Sequence, residues 1–224
     1  MGRQKIKFRH PGCDDGRGRK IITKILRKYI RELLTESAKG PADLPPDAYV
    51  VIRKKSGVDE VFYAFEDGTI RHDAGPPDGM VSFARTTGRG AWGQCLRASA
   101  MVGAMASPGW GPLLYDVAIE VTGDHGLMAD RESLSADAYN VWLYYMNSRP
   151  DVVKIQLDTL DNELTPDDAD NCTSKVAREF DDAFDFYRDD EKKKALIDSP
   201  VMKVYTKEPT TIQKLESMGR LIRK

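Results

Sequence analysis

The sequence predicts an α/β (α+β) domain, a mixed sheet flanked by helices, behind a basic N-terminal helical extension. Three observations carry this expectation. From Tyr49 to Arg85 short apolar runs alternate with tight turns, as in a series of neighbouring strands. From Pro112 onward, apolar residues at three- and four-residue spacing alternate with short strand-like runs. The charge is also segregated. Residues 1–35 carry eleven Lys/Arg against three Asp/Glu, a net of +8, whereas residues 150–198 carry fifteen Asp/Glu against seven Lys/Arg, a net of −8. Opposed blocks attract each other or serve different partners.

The 224 residues are 41% hydrophobic and 31% charged, which suits one globular domain with an appendage. The net charge of −1 speaks against the whole chain being a nucleic-acid binder. No apolar run reaches membrane-spanning length, and no signal-peptide core opens the sequence. Cys13, Cys95 and Cys172 are odd in number, far apart and without a CxxC spacing. They predict neither a disulfide framework nor a zinc site, and they fit a reducing compartment.

Taken in order, residues 1–46 form the appendage and 47–224 the domain. Residues 1–19 read as a basic arm broken by Gly12, Gly16 and Gly18. Over 20–36, Ile21, Ile22, Ile25, Leu26, Ile30, Leu33 and Leu34 define one face of an amphipathic helix and Lys20, Lys24, Arg27, Lys28 and Arg31 the other. That helix suits a nucleic acid, a membrane surface, an acidic partner or the chain's own acidic block. Gly40, Pro41, Pro45 and Pro46 mark a linker. Strands are expected at 49–53, 58–65 and 80–85, with a short one at 69–72. His72 beside Asp73 fits either an acid–base pair or a surface histidine at a turn, and the turn is the expected reading. Residues 95–105 fit either a helix, by their alanines, or a buried strand, by their length.

A glycine turn, Ser107-Pro108-Gly109-Trp110-Gly111, then leads into a helix at 112–121. Pro112 suits a helix start because its fixed φ is helical and no N–H is needed there. Bare backbone at Gly109 and Gly111, with N–H groups at a helix N-terminus, is the arrangement that binds phosphate. A short strand at 126–129 and a helix at 135–147 follow, the latter capped near Ser133–Ser135. Val152 to Leu157 alternates like a strand. The acidic stretch 158–191 reads as an insertion of solvated carboxylates. Asp161, Glu163, Asp167, Asp168 and Asp170 lack the glycine and spacing of a calcium loop, so no metal site is expected. Phe180, Phe184 and Tyr187 mark a short helix, 199–208 a last strand, and 210–223 a closing helix.

This order of strands, glycine turn, helix, short strand and helix resembles the core of the GNAT superfamily of N-acetyltransferases. In that family Arg/Gln-x-x-Gly-x-Gly/Ala joins a strand to a helix and holds the pyrophosphate of acetyl-CoA. The matching run here is Ala106 to Gly111. The resemblance implies a GNAT-like mixed sheet, acetyl-CoA as cofactor, and cofactor contacts from Ser107, Gly109, Trp110 and Gly111. Both glycines match, Ala106 stands at the Arg/Gln position, and Pro108 has no N–H. The family uses a tyrosine on the next helix to protonate the departing thiolate, which implies Tyr145 or Tyr144. Glu120 and Asp116 are the candidate bases on the first helix. The runs from Gly109 to Ala118, Gly126 to Arg131, Ser133 to Ser135, Val141-Trp142 and Arg149 to Val152 also resemble tailed-phage proteins described as GNAT-like acetyltransferases with an antirestriction role. That resemblance implies a host or phage protein acceptor and a place in the host cytoplasm or the virion. Its alternative is a catalytically silent GNAT-fold protein packaged in or attached to the virion. The stretch around residues 20–36 resembles phage leader segments, and Leu34-Thr35-Glu36 matches the pattern cut by head-maturation proteases.

Overall fold

The computed structural model describes residues 38–66, 70, 77–86, 95, 98–130, 133–159, 162, 164–172 and 189–224. The basic arm, the helix expected at 20–36, almost all of the strand expected at 69–72 and the helix expected around Phe180, Phe184 and Tyr187 lie outside the described residues. No described helix is long and apolar enough to cross a membrane.

A curled mixed sheet of eight strands organises the domain, in the order β6-β7-β5-β4-β3-β2-β1-β8. Strands β1 (Ala48–Lys54), β2 (Asp59–Phe65), β3 (Gly79–Arg85) and β4 (Ser99–Ala106) form an antiparallel meander. Alternate residues of a strand share a face. Val50, Ile52, Val61, Tyr63, Val81 and Phe83 therefore enter one core, while Val51, Phe62 and Ala64 pack on the opposite face with Ile70, Met80 and Ile222. Burial on both faces explains why β2 is almost continuously apolar rather than alternating. The ambiguous stretch 95–105 resolves as strand from Ser99. Pairing along the whole of β3 outweighs the helical preference of its alanines.

Helix α1 (Gly111–Thr122) crosses from β4 to the short parallel strand β5 (Leu127–Met128) and buries Leu113, Leu114, Val117, Ala118 and Ile119. Pro112 sits in its first turn, as expected. Helix α2 (Ala136–Ser148) starts at Ser135, whose hydroxyl oxygen accepts from the Ala138 amide at 3.2 Å. Strand β6 (Val152–Gln156) follows at the sheet edge, and β7 (Lys203–Lys207) lies antiparallel between β5 and β6.

Two expectations need correction at the C-terminal end. The strand read at 199–208 begins at Lys203, because Pro200–Met202 forms a 3₁₀ turn. The closing helix α4 (Thr210–Ser217) stops short of 223, since Gly219 turns the chain at φ +66°. Leu221–Arg223 then forms β8, parallel to β1, and covers an edge that β1 would otherwise leave open. The acidic stretch is likewise not solvated throughout. Asp158 is fully buried, and its carboxylate accepts from the amides of Thr159, Leu164 and Thr165 at 2.6–2.7 Å. Asp189–Ile197 forms a helix, α3.

The cysteine expectation is also overturned. Cys95 and Cys172 form a disulfide with their Cα atoms 4.9 Å apart, across a sequence separation of 77. Spacing could not show this, because the fold alone brings the two together. The bond lies in a second core on the far face of the sheet, with Ala98, Ala100, Met128, Leu157, Met202 and Val204, and with Leu196 of α3 against it.

Candidate functional site

The site is built where β4 and β5 part. These parallel strands share two residue pairs, Ser99↔Leu127 and Ala100↔Met128. β5 then ends, and β4 runs on to Ala106. β4 also carries a bulge, because Ser82 faces Gly103 while Phe83 faces Met101, leaving Val102 extra. A bulge twists and bends its strand. Along 101–106 β4 pairs with β3 alone, so among the described residues its far edge has no strand partner. Its side chains there are open as well, with Val102 41% and Met105 58% exposed. Outward peptide groups of such an edge are ready to pair with amides of a ligand.

At the end of that edge the glycine turn leads into α1. Ser107 is tied down: its amide donates to the Asp78 carbonyl at 2.8 Å, and its hydroxyl donates to the same oxygen at 3.1 Å. Gly109 holds a φ of +82°, which a side chain would strain, and its carbonyl accepts from the Lys39 amide at 2.8 Å. The Trp110 amide donates to the Ser107 carbonyl, its own carbonyl accepts from the Tyr63 hydroxyl at 2.7 Å, and its ring packs edge-on to Tyr63. Trp110 is thus a core anchor of the turn. Helix α1 has no side-chain cap. Pro112, in its first turn, has no N–H to give. Of the four expected cofactor contacts, Gly109 and Gly111 present backbone without a side chain, with the Gly109 carbonyl taken by Lys39, while Ser107 and Trp110 hold the turn in shape.

Tyr145 and Tyr144 sit on α2 beside the first turns of α1. Tyr145 is fully buried, and its hydroxyl donates toward the Pro112 carbonyl at 2.9 Å and the Asp116 carboxylate at 2.8 Å. Burial, and then the Asp116 charge, push the Tyr145 phenol well above its ordinary pKa. Tyr144 is half-buried, edge-on to Tyr145, with the Arg149 guanidinium 5.8 Å from its ring. Burial raises its pKa too, against the opposing pull of Arg149.

Both candidate bases are occupied. The Asp116 carboxylate receives Arg149 through two N–H groups, at 2.7 and 3.1 Å. Burial lifts the Asp116 pKa despite that cation and the Tyr145 hydrogen bond. Glu120 is paired with Lys207 and accepts from the amides of Thr211 and Ile212 at 2.8 and 2.7 Å, closing the N-terminus of α4. Sequence reasoning gave Arg149, Asp151 and Lys207 no role. Arg149 also grips Asp151, at 2.7 and 2.8 Å, so one guanidinium links α1, α2 and the start of β6. Its only advance signal was the Arg149-Pro-Asp run at the end of α2, which does not name its partner 33 residues upstream. Among the described residues no cluster of His, Cys, Asp and Glu is arranged to hold a metal ion.

Comparison with protein-family models, curated proteins and solved structures finds no match to this chain.

Proposed function

We propose that this chain is a GNAT-like, acyl-CoA-dependent N-acetyltransferase of the tailed-phage kind, with an antirestriction role and a host or phage protein as acceptor. The element order supports the reading: meander, glycine turn, α1, β5 and α2 follow one another as the resemblance implies. The observation that carries it is the parting of β4 from β5 with an uncapped helix N-terminus at the end of the open edge. Acetyl-CoA has matching chemistry. Its pantetheine amides suit an unpaired strand edge, and its pyrophosphate suits the amides of Gly111 and Leu113. Catalysis is then mainly positioning of an amine against the thioester. Tyr144 is the better proton donor to the departing sulfur, because the Tyr145 hydroxyl is buried and engaged.

Calorimetry with acetyl-CoA tests the reading. A Cβ on Gly111 meets only Ala106 Cβ at 3.8 Å, an ordinary contact, so Gly111→Val probes the site without a clash in the fold. Micromolar binding that Gly111→Val abolishes, with turnover lost in Tyr144→Phe, supports it. Absence of heat at millimolar acetyl-CoA rejects it.

Specific observations favour a second reading, a silent GNAT-fold protein packaged in or attached to the virion. Ala106 and Pro108 remove two features of the resembling signature, and the Ser107 and Trp110 amides are already used. Mass spectrometry of purified virions detects the chain if that reading holds.

A further inference from the structure

The sheet has a seam. The β4-β3-β2-β1-β8 half and the β5-β7-β6 half meet through the two residue pairs between β4 and β5. The Cys95–Cys172 disulfide crosses that seam on the far face. Cys95 belongs to the β4 side, where its carbonyl and that of Ala98 accept from the Thr86 hydroxyl just past β3. Cys172 belongs to the β6 side, where its amide donates to the Asp158 carbonyl at 3.1 Å and Asn171 bridges Asp158 just beyond β6. Ala100 and Met128, one of the two residue pairs of the seam, share this core with the two cysteines.

We propose that this disulfide is a redox-sensitive clamp on the seam: oxidised, it holds the two sheet halves together, and reduced, it lets them part. The site accommodates both states. A reduced Cys172 has an acceptor in place, the Asp170 carbonyl 3.2 Å from its sulfur. Both cysteines are almost fully buried, so exchange proceeds through local opening of this face. The oxidant is a low-molecular-weight disulfide. One cysteine thiolate attacks it and expels one thiol, giving a mixed disulfide. The second cysteine thiolate then displaces the other thiol, so two thiols are oxidised as one disulfide is reduced to two thiols.

The clamp lies at the root of the proposed cleft, yet its test uses no acyl-CoA, so the two readings fail separately. Full-length Cys13→Ser protein, which keeps this pair alone, is equilibrated in glutathione buffers of graded redox poise. Thiol alkylation and hydrogen exchange are then read by mass spectrometry. The expected result is loss of both alkylatable thiols in one two-electron step. With it, amides of 98–101, 126–129 and 157–159 exchange about tenfold more slowly in the oxidised chain, while those of β1 and β2 are unchanged. The oxidised chain also melts about 10 °C higher. Cys172→Ala reproduces the reduced behaviour, and reduction of the Cys13→Ser chain gives the same comparison should that variant not fold. Two thiols that stay alkylatable in oxidised glutathione overturn the proposal, as does a bond that forms without slowing exchange at the seam.

Discussion

Glu60 stands opposite Arg53 on the β1–β2 ladder and accepts from Arg53 Nε and Lys55 Nζ, each at 2.7 Å. Burial raises its pKa, but the two hydrogen bonds and the two charges together outweigh burial and hold it below the ordinary carboxylate value. A depressed carboxylate contributes stability that is present above the unfolded pKa of about 4.3 and is lost as pH falls through the folded pKa. Glu60→Gln should therefore flatten the fall in stability between about pH 5 and pH 3, with little change in that slope near neutrality. Acid titration of the urea midpoint reads this, and an unchanged acid slope contradicts it. The buried pair behaves differently. Lys207 and Glu120 side chains are 3% and 0% exposed, so Lys207→Met leaves a carboxylate without its cation in the interior. The expected cost is about 3–5 kcal/mol in chemical denaturation, partly recovered in the Lys207→Met/Glu120→Gln double variant.

Between elements, β3 comes close to β4 at Gly79. A Cβ there, at φ +154°, would lie 2.7 Å from the Met105 carbonyl oxygen and 2.8 Å from Ala106 Cα. Gly79→Ala must push the two strands apart next to the glycine turn, and about 2 kcal/mol or more should be lost. A melting temperature equal to wild type would show that the backbone yields freely. Elements like this one explain what the sequence could tell. Local signals were legible: the neighbouring strands β1 and β2, Pro112 at the start of α1, the cap region of α2 near Ser133–Ser135, and the paired glycines. Each rests on chemistry within a few residues. What escaped were contacts fixed by topology. The insertion of β7 between β5 and β6, the pairing of Leu221–Arg223 with β1, the Cys95–Cys172 bond and the Arg149–Asp116 pair each join positions dozens of residues apart. In the candidate site the glycine turn was legible for the same local reason. The burial of Tyr145 and the occupation of Glu120 were not, because helical spacing says which face is apolar but not which polar tips meet across it.

For the whole molecule, the boundary between appendage and domain is open to a direct measurement. The Lys39 amide donates to the Gly109 carbonyl, Leu44 is buried in the main core, and Arg220 donates to the Pro46 carbonyl. A chain beginning at Ala38 should melt with the full-length protein. One beginning at Asp47 should melt several degrees lower, at about 2–4 °C for each kcal/mol lost. Equal melting of both would show that 38–46 adds nothing. The basic stretch before it should bind an acidic partner, and a mobility shift with nucleic acid that fades steeply with salt would identify phosphate as that partner. One feature of the sheet also bears on how the chain is made. Among the described residues β6 pairs with β7 alone, and 46 residues separate the two strands. A ribosome therefore delivers Val152–Gln156 well before the strand that completes it. During that interval Val153 and Ile155, 59% and 45% exposed even in the finished fold, sit on a strand with both edges open. Slower synthesis between the emergence of β6 and that of β7 should therefore lengthen the time this strand stays unpaired and increase aggregation of the nascent chain.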